Sequence, residues 1–403
     1  MLVNKTYEIS SCDDVELNIK RTSKLEYRMT YDDEKEMKAI VFMIGGYGAN
    51  ANISFLDFDR EYIAKKFDVV VVNVFYHCFC SRKSVDEKYN PRLVPNKEDL
   101  MHINQILKNI DLAYIKADEN NFSQIIPIID EQLETMKQRG QIQLNQKVEL
   151  TCDFIPPNDE YQNYGIMAAI DHINALKDII KNYPQFANLA KIYGGGSYGG
   201  YLSLLIAKIA PWYVDGVIDN SGSPLPLLNY IIGRDLNTPD FIFNDANTLV
   251  AMFVKTYWIR KDEHSPYFFS NENYIIRSLL NSSHLKIQTH TNNNIIFVSY
   301  HSSRDEFNTT QDKQILFSIY KEFGCDATLY LVHEKDIDGK MIKSLDHGMR
   351  MTDRSMLKKE LPLMLEKLKG KKFPMKENSI SYPCKNKIFK FKDEGDKFKL
   401  EIV

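Results

Sequence analysis

Read by the spacing of its apolar residues, the chain alternates between strand-like and helix-like segments. "KAIVFMI" (Lys38–Ile44) and "FDVVVVNVF" (Phe67–Phe75) are apolar almost throughout, as strands covered on both faces of a parallel sheet must be. Between them "SFLDFDREYIAKKF" (Ser54–Phe67) reads as a helix. Strand, helix and strand in succession open a parallel α/β arrangement.

After Ser81 the pattern turns polar and helical with no buried-strand signal, and residues 83–160 are expected to form a helical insertion. "YGIMAAIDHINALKDIIKNYP" then carries Ile166, Ile170, Ile173, Leu176 and Ile180 at helical spacing, with Pro184 just past the end. The short strand "AKIY" follows, then a helix with Leu202, Leu205, Ile206 and Ile209 on one face, then the strand and loop "YVDGVIDNSGSPLP". Residues 225–291 again look helical and aromatic, a second insertion or lid. Its aromatics Tyr257, Trp258, Tyr267, Phe268 and Phe269 suit either a pocket lining or plain core packing. "NNIIFVSYHSSRDEFN" is a strand and polar loop, "KQILFSIYKEFG" a helix, "DATLYLV" a strand and "SMLKKELPLMLEKLKG" a closing helix. The pattern predicts an α/β domain over 1–370, with a mostly parallel central sheet flanked by helices. The tail, 371–403, alternates around "DEGD" and predicts an added β-hairpin.

One stretch resists a purely structural reading. "KIYGGGSYGGYLSLLIAKIAP" (Lys191–Pro211) places Ser197 among five glycines between a strand and a helix. A serine on a sharp strand-to-helix turn needs a strained backbone, and bulk two residues to either side would collide there. Gly195 and Gly199 stand at those positions. A tight packing turn or a phosphate loop are the alternatives; the second lacks the Lys-Ser/Thr of a P-loop. A nucleophilic serine further requires a base and an acid in the chain order serine, acid, histidine. Asp305, directly after a predicted strand, and His347 in "LDHGM" obey that order. Asp219 is the runner-up acid; Glu306 and Asp312 read as solvated loop charges, and His301 and His333 as structural histidines. Backbone donors for an oxyanion are expected from Tyr198, next after the serine, and from "GGYGAN" through Gly46 or Tyr47.

Composition narrows the partners. The 403 residues are 44% hydrophobic and 26% charged with a formal net charge of −3, which gives no electrostatic reason to expect nucleic acid or an anionic membrane. A small, mostly neutral ligand fits as well. The N-terminal residues show no apolar run behind a basic start, so no secretory signal is expected, and no apolar run approaches a membrane span. A cytoplasmic protein with six thiols (Cys12, Cys78, Cys80, Cys152, Cys325, Cys384) follows. "CFC" at Cys78–Cys80 has no second Cys/His pair at zinc spacing and is read as thiols. The chemistry of Ser197 calls for no metal and no organic cofactor.

With these motifs in hand, the chain resembles the α/β-hydrolases. "GGGSYGGYLSL" is similar to the nucleophile elbow of the prolyl-oligopeptidase group and its esterase relatives. "HSSRD" resembles that group's HG-x-x-D acid loop with Ser302 in place of the glycine, and "DHGM" its histidine segment. "GYGANANIS" resembles its oxyanion loop, in which the tyrosine corresponds to Tyr47. The likeness runs from about Lys38 to Gly370, broken by the two insertions, and implies Ser197 as nucleophile, Asp305 as acid and His347 as base. With 37 residues ahead of Lys38, no peptide-filtering β-propeller is expected, and no acidic pair for a peptide amino terminus is identified. Ester hydrolysis is therefore expected ahead of peptidase activity. Over its whole length the chain is also similar to a hydrolase-like family of flagellated epsilonproteobacteria, some encoded near flagellin glycosylation genes. That likeness implies an O-acyl group on a nonulosonic-acid sugar or its activated form as substrate. Acyl transfer to a sugar hydroxyl and a non-catalytic binding module are the other classes to test.

Overall fold

The computed structural model describes residues 1–403 except Asn50, Asn52 and Ser81. The two asparagines of "GYGANANIS", the first of which ends "GGYGAN", therefore lie outside the described residues, as does Ser81 ahead of the first inserted stretch. Contacts divide the chain into two units: Met1–Phe79, Asn163–Pro226 and Phe269–Val403 in one, Cys80–Gln162 and Leu227–Phe268 in the other.

The first unit is organised by eight strands: β1 (Leu2–Ser10), β2 (Lys24–Asp32), β3 (Ala39–Ile44), β4 (Val70–Phe75), β5 (Ala190–Gly196), β6 (Gly216–Asn220), β7 (Ile296–Ser302) and β8 (Asp326–Val332). They form one sheet in the order β1-β2-β4-β3-β5-β6-β7-β8. β2 runs antiparallel to both neighbours, and every other pairing from β4 to β8 is parallel. This is the α/β-hydrolase arrangement. Every residue of β3, β4, β6 and β7 is buried, which accounts for the near-continuous apolar sequence of β3 and β4.

Period-two geometry sorts those residues between two helical layers. Val41, Met43, Ile192 and Ile218 share a core with Ile63 and Ala64 of helix α1 (Ile53–Phe67) and with Leu357, Leu361 and Met364 of the closing helix (Asp353–Leu368). Their strand neighbours face the opposite way. Phe42 lies against His172 of α2 (Ile166–Asn182) at 6.0 Å between ring centroids and stacks on Tyr193 at 4.6 Å. On the same alternation Phe297 stacks on Tyr320 of the helix Thr310–Glu322 at 4.1 Å.

Several sequence expectations change. The sheet begins two strands before Lys38: Leu25, Tyr27, Met29 and Tyr31 of β2 are buried at every second position, with Thr30 buried between the last two, a weaker signal than the apolar runs that follow. The two insertions are not separate helical pieces. Val148–Ile155 pairs in parallel with Thr248–Val254, placing Cys152 opposite Met252, so the second unit has its own four-stranded sheet, completed by Arg92–Val94 and Phe241–Asn244. Its helices Lys97–Asn109 and Phe122–Gln138 contribute Ile103, Leu107, Ile125, Ile129 and Leu133 to a core with Leu150 and Val250. Residues 269–291, with helices Asn271–Arg277 and Ser282–Thr291, belong instead to the first unit. Phe269 is accordingly fully buried there, while Tyr257 packs on Tyr161 and Tyr267 at 4.8 and 5.5 Å in the second unit. The tail is a three-stranded antiparallel sheet, Ser379–Cys384, Lys387–Glu394 and Lys397–Ile402, where the pattern around "DEGD" shows only the last two strands.

A buried ion pair ties β6 to the helix Thr310–Glu322. Lys313 Nζ donates to Asp219, and both side chains are wholly shielded from solvent. Removing one member strands the other as a buried charge, at a cost of about 3–5 kcal/mol. Lys313→Met is expected to lower unfolding stability in urea by that amount, and Lys313→Met with Asp219→Asn to recover most of it. A single variant as stable as wild type would contradict this.

Candidate active site

β5 delivers the chain to Ser197, and helix α3 (Tyr198–Ile209) leaves from it. Ser197 has φ 55° and ψ −119°, a region that costs an L-residue on the order of 1–3 kcal/mol. The turn is held by Ser197 N–H donating to Asn220 O at 2.7 Å and by Tyr201 N–H donating to Ser197 O at 3.0 Å. The flanking glycines are a steric necessity: a Cβ on either Gly195 or Gly199 would run into the carbonyl oxygen of Ile44, at the end of β3.

Three side chains far apart in sequence meet here. His347 Nε2 lies 2.7 Å from Ser197 Oγ, and His347 Nδ1 lies 2.9 and 3.0 Å from the two carboxylate oxygens of Asp305. A carboxylate only accepts, so Nδ1 carries the ring proton and Nε2 is left to accept from the Ser197 hydroxyl. The Asp305 side chain is wholly buried and that of His347 is 20% exposed. Burial works to raise the Asp305 carboxyl, but the His347 hydrogen bond and charge, the charge of His301 and the Phe307 N–H outweigh it and hold the carboxyl below its ordinary value. Its Oδ1 accepts the N–H groups of Phe307 at 2.9 Å and Asn308 at 3.0 Å. The Phe307 ring meets the His347 ring at 4.9 Å between centroids. Sequence reading passed over Phe307 and Asn308, although an Asp whose own loop supplies its N–H partners two and three residues on is a readable turn signature.

The other candidates are placed elsewhere. Asp219 accepts from Ser299 Oγ at 2.6 Å, from Gly222 N–H at 2.8 Å and from Lys313, and no hydrogen bond joins it to His347 among the described residues. His301 is buried, with Nε2 3.3 Å from Asn308 O. His333 and Glu306 are exposed, and the Asp312 N–H caps its helix on Thr309. Gly46 comes against the elbow: a Cβ there would stand 3.1 Å from Gly196 O and 3.7 Å from Ser197 Cβ. The Tyr47 ring meets that of Tyr198 edge-on at 5.9 Å. As the first residue of α3, Tyr198 has no carbonyl within the helix to receive its N–H, and that N–H adds to the positive end of the helix dipole. The six cysteines are all free thiols, and the described residues contain no His/Cys/Asp/Glu group arranged to hold a metal ion.

Comparison with known proteins places the chain in a family. It belongs to the family described as protein of unknown function (DUF2920), matched over residues 5–402. No curated protein sequence matches it significantly. Similar solved structures include an acylaminoacyl peptidase of Pyrococcus horikoshii, at 13% identity and TM-score 0.46, covering 94% of this chain and 43% of that one. A puromycin-hydrolyzing peptidase of Mycobacterium tuberculosis is similar at 11% identity and TM-score 0.42, over 91% of this chain and 38% of that one. An esterase of Pyrobaculum calidifontis is similar at 13% identity and TM-score 0.39, over 82% and 75%. The DUF2920 chain thus spans less than half the length of the two peptidases.

A second acid adjoins the elbow. Asp353 opens the closing helix, and a Cβ on Gly196 would lie 3.3 Å from its Oδ1. Burial, reinforced by the charge of Asp59 and offset by the Gly196 N–H, pushes its carboxyl up to about 7. Because this lies above the unfolded value of about 3.9, the folded chain holds more protons, and stability falls as pH rises from about 4 to 7. Asp353→Asn is therefore expected to melt above wild type at pH 8 and to lose most of that advantage at pH 5. The same difference at both pH values would rule out the elevated carboxyl.

Proposed function

We propose that this protein is a serine hydrolase that cleaves acyl esters. The observation that carries the reading is the unbroken line of hydrogen bonds from Ser197 Oγ to His347 to Asp305, at 2.7 Å and 2.9 Å, set at the tip of a strained elbow. His347 Nε2 takes the hydroxyl proton as Ser197 Oγ attacks the acyl carbonyl, and the resulting imidazolium is stabilised by buried Asp305. The oxyanion is received by the Tyr198 N–H and by the Gly46–Tyr47 segment, in the field of the α3 N-terminus. His347 then passes its proton to the departing alcohol, leaving an acyl-Ser197. A water molecule, deprotonated by His347 in the same way, attacks that acyl group and releases the acid. No step draws on a metal or an organic cofactor.

Among acyl esters, an O-acylated sugar is the class implied by the likeness to the family of flagellated epsilonproteobacteria. Six free thiols suit a reducing, cytoplasmic location, and among the described residues no helix is long and apolar enough to cross a membrane.

A fluorophosphonate probe is expected to label wild type and to miss Ser197→Ala. His347→Ala should lower kcat on p-nitrophenyl acetate by about 10³-fold or more, consistent with loss of a member of such a unit. Equal labelling of wild type and Ser197→Ala would remove Ser197 as nucleophile. Product analysis with an acetylated sugar separates hydrolysis, which frees acetate, from transfer, which moves the acetyl group to a second sugar.

A further inference from the structure

The end of β6 makes contacts that Ser197, His347 and Asp305 do not make with one another. Asn220 and Ser221 are almost wholly buried, at 2% and 0% exposed. Asn220 O accepts the Ser197 N–H at 2.7 Å. Asn220 Nδ2 donates to Gly348 O at 3.0 Å, and Gly348 N–H donates to Ser221 Oγ at 3.3 Å. The two side chains are themselves joined, Ser221 Oγ donating to Asn220 Oδ1 at 3.1 Å. Both polar groups of Gly348, the residue after His347, are thus gripped by one dipeptide. On its other side Ser221 O accepts from Asn308 Nδ2 at 3.0 Å, and Asn308 is the residue whose N–H holds the Asp305 carboxylate.

The backbone here is also strained. Ser221 has φ 59°, left-handed for an L-residue that is not Gly, Asn or Asp, at a cost of about 1–2 kcal/mol. Its N–H, O and Oγ are nevertheless all engaged, the N–H on Tyr300 O at 2.9 Å. A turn needed only to end a strand would take glycine at no such cost.

We propose that Asn220 and Ser221 are positioning residues: a single rigid dipeptide that sets the backbone of the serine and the histidine and the carboxylate of the acid relative to one another. The inference rests on the hydrolase reading for its kinetic consequence, but its geometric content is separate. Each of the three functional residues is reached through one hydrogen bond from this dipeptide or through one intervening residue. A displacement on the order of 1 Å in such an alignment costs about 10²-fold in rate, so the loss should appear in kcat with substrate binding largely kept.

The test uses two side-chain changes and one control. Ser221→Ala deletes only the hydroxyl that holds Gly348 N–H. Asn220→Asp keeps the shape but replaces the donor to Gly348 O with an acceptor. Thr289→Ala deletes another buried hydroxyl, bonded to Leu285 O at 2.8 Å within its own helix, and serves as control. Each full-length protein is assayed on p-nitrophenyl acetate, and the His347 ring is followed by NMR after ¹⁵N-histidine labelling. The expected result is a kcat about 10- to 100-fold lower in Ser221→Ala and Asn220→Asp with KM within about threefold, together with a shifted or broadened His347 Nδ1 signal. Thr289→Ala should leave both readouts unchanged. Ser221→Gly, which adopts φ 59° without strain, supplies the same readouts should Ser221→Ala fold poorly. A kcat within about twofold of wild type and an unchanged His347 signal in both variants would overturn the proposal, as would a lower melting temperature with unaltered kcat per folded molecule. If wild type itself turns over no ester and takes no fluorophosphonate, the hydrolase reading fails; a His347 signal altered in the two variants alone still upholds the positioning role.

Discussion

The carbonyl oxygen of Ile44 is the constraint on which the rest of this structure depends. It ends β3 in the space that side chains at residues 195 and 199 would otherwise occupy, so the neighbouring strand and the helix after it can approach only as bare backbone. With that approach made, Ser197 is left at the tip of the turn with φ 55°, its hydroxyl presented and its backbone held by Asn220 O and Tyr201 N–H. Strain at one residue is sustained because the surrounding sheet over-determines its position.

Partner choice then separates two aspartates that the chain order alone leaves in competition. Asp219 lies near the end of β6 and Asp305 just past the end of β7, and the side chains of both are withdrawn from water. Asp219 is saturated by Lys313, Ser299 and Gly222, which makes it a structural anion holding β6 to a flanking helix. Asp305 is given two N–H groups of its own loop and the Nδ1 of His347, which ties it to that ring. Burial alone raises a carboxyl, and it is the identity of the compensating donors that decides what each carboxylate does.

The legible part of the fold was the part where one physical signal dominates. β3 and β4 are buried on both faces, and apart from Asn73 their sequences are apolar throughout. β1 and β2 lie at the edge, and the second unit's sheet is small; half-exposed strands of this kind mix polar and apolar residues and are hard to separate from helix in short windows. Val148–Ile155 and Thr248–Val254 were beyond reach for a further reason. They complete each other across about a hundred residues of chain, and no local pattern announces a partner at that distance.

By itself the sequence determined the strand–helix alternation of the first unit, the turn at Ser197 and the order serine, acid, histidine, because each depends on residues that are neighbours in the chain or on order alone. Only the tertiary structure decided that Asp305 and not Asp219 faces His347, that the two inserted stretches build one sheet, and that Asn220 and Ser221 connect to Ser197, Gly348 and Asn308. Those outcomes depend on which hydrogen-bond donors arrive from remote strands and helices, and a donor's arrival is a property of packed space that linear spacing does not encode.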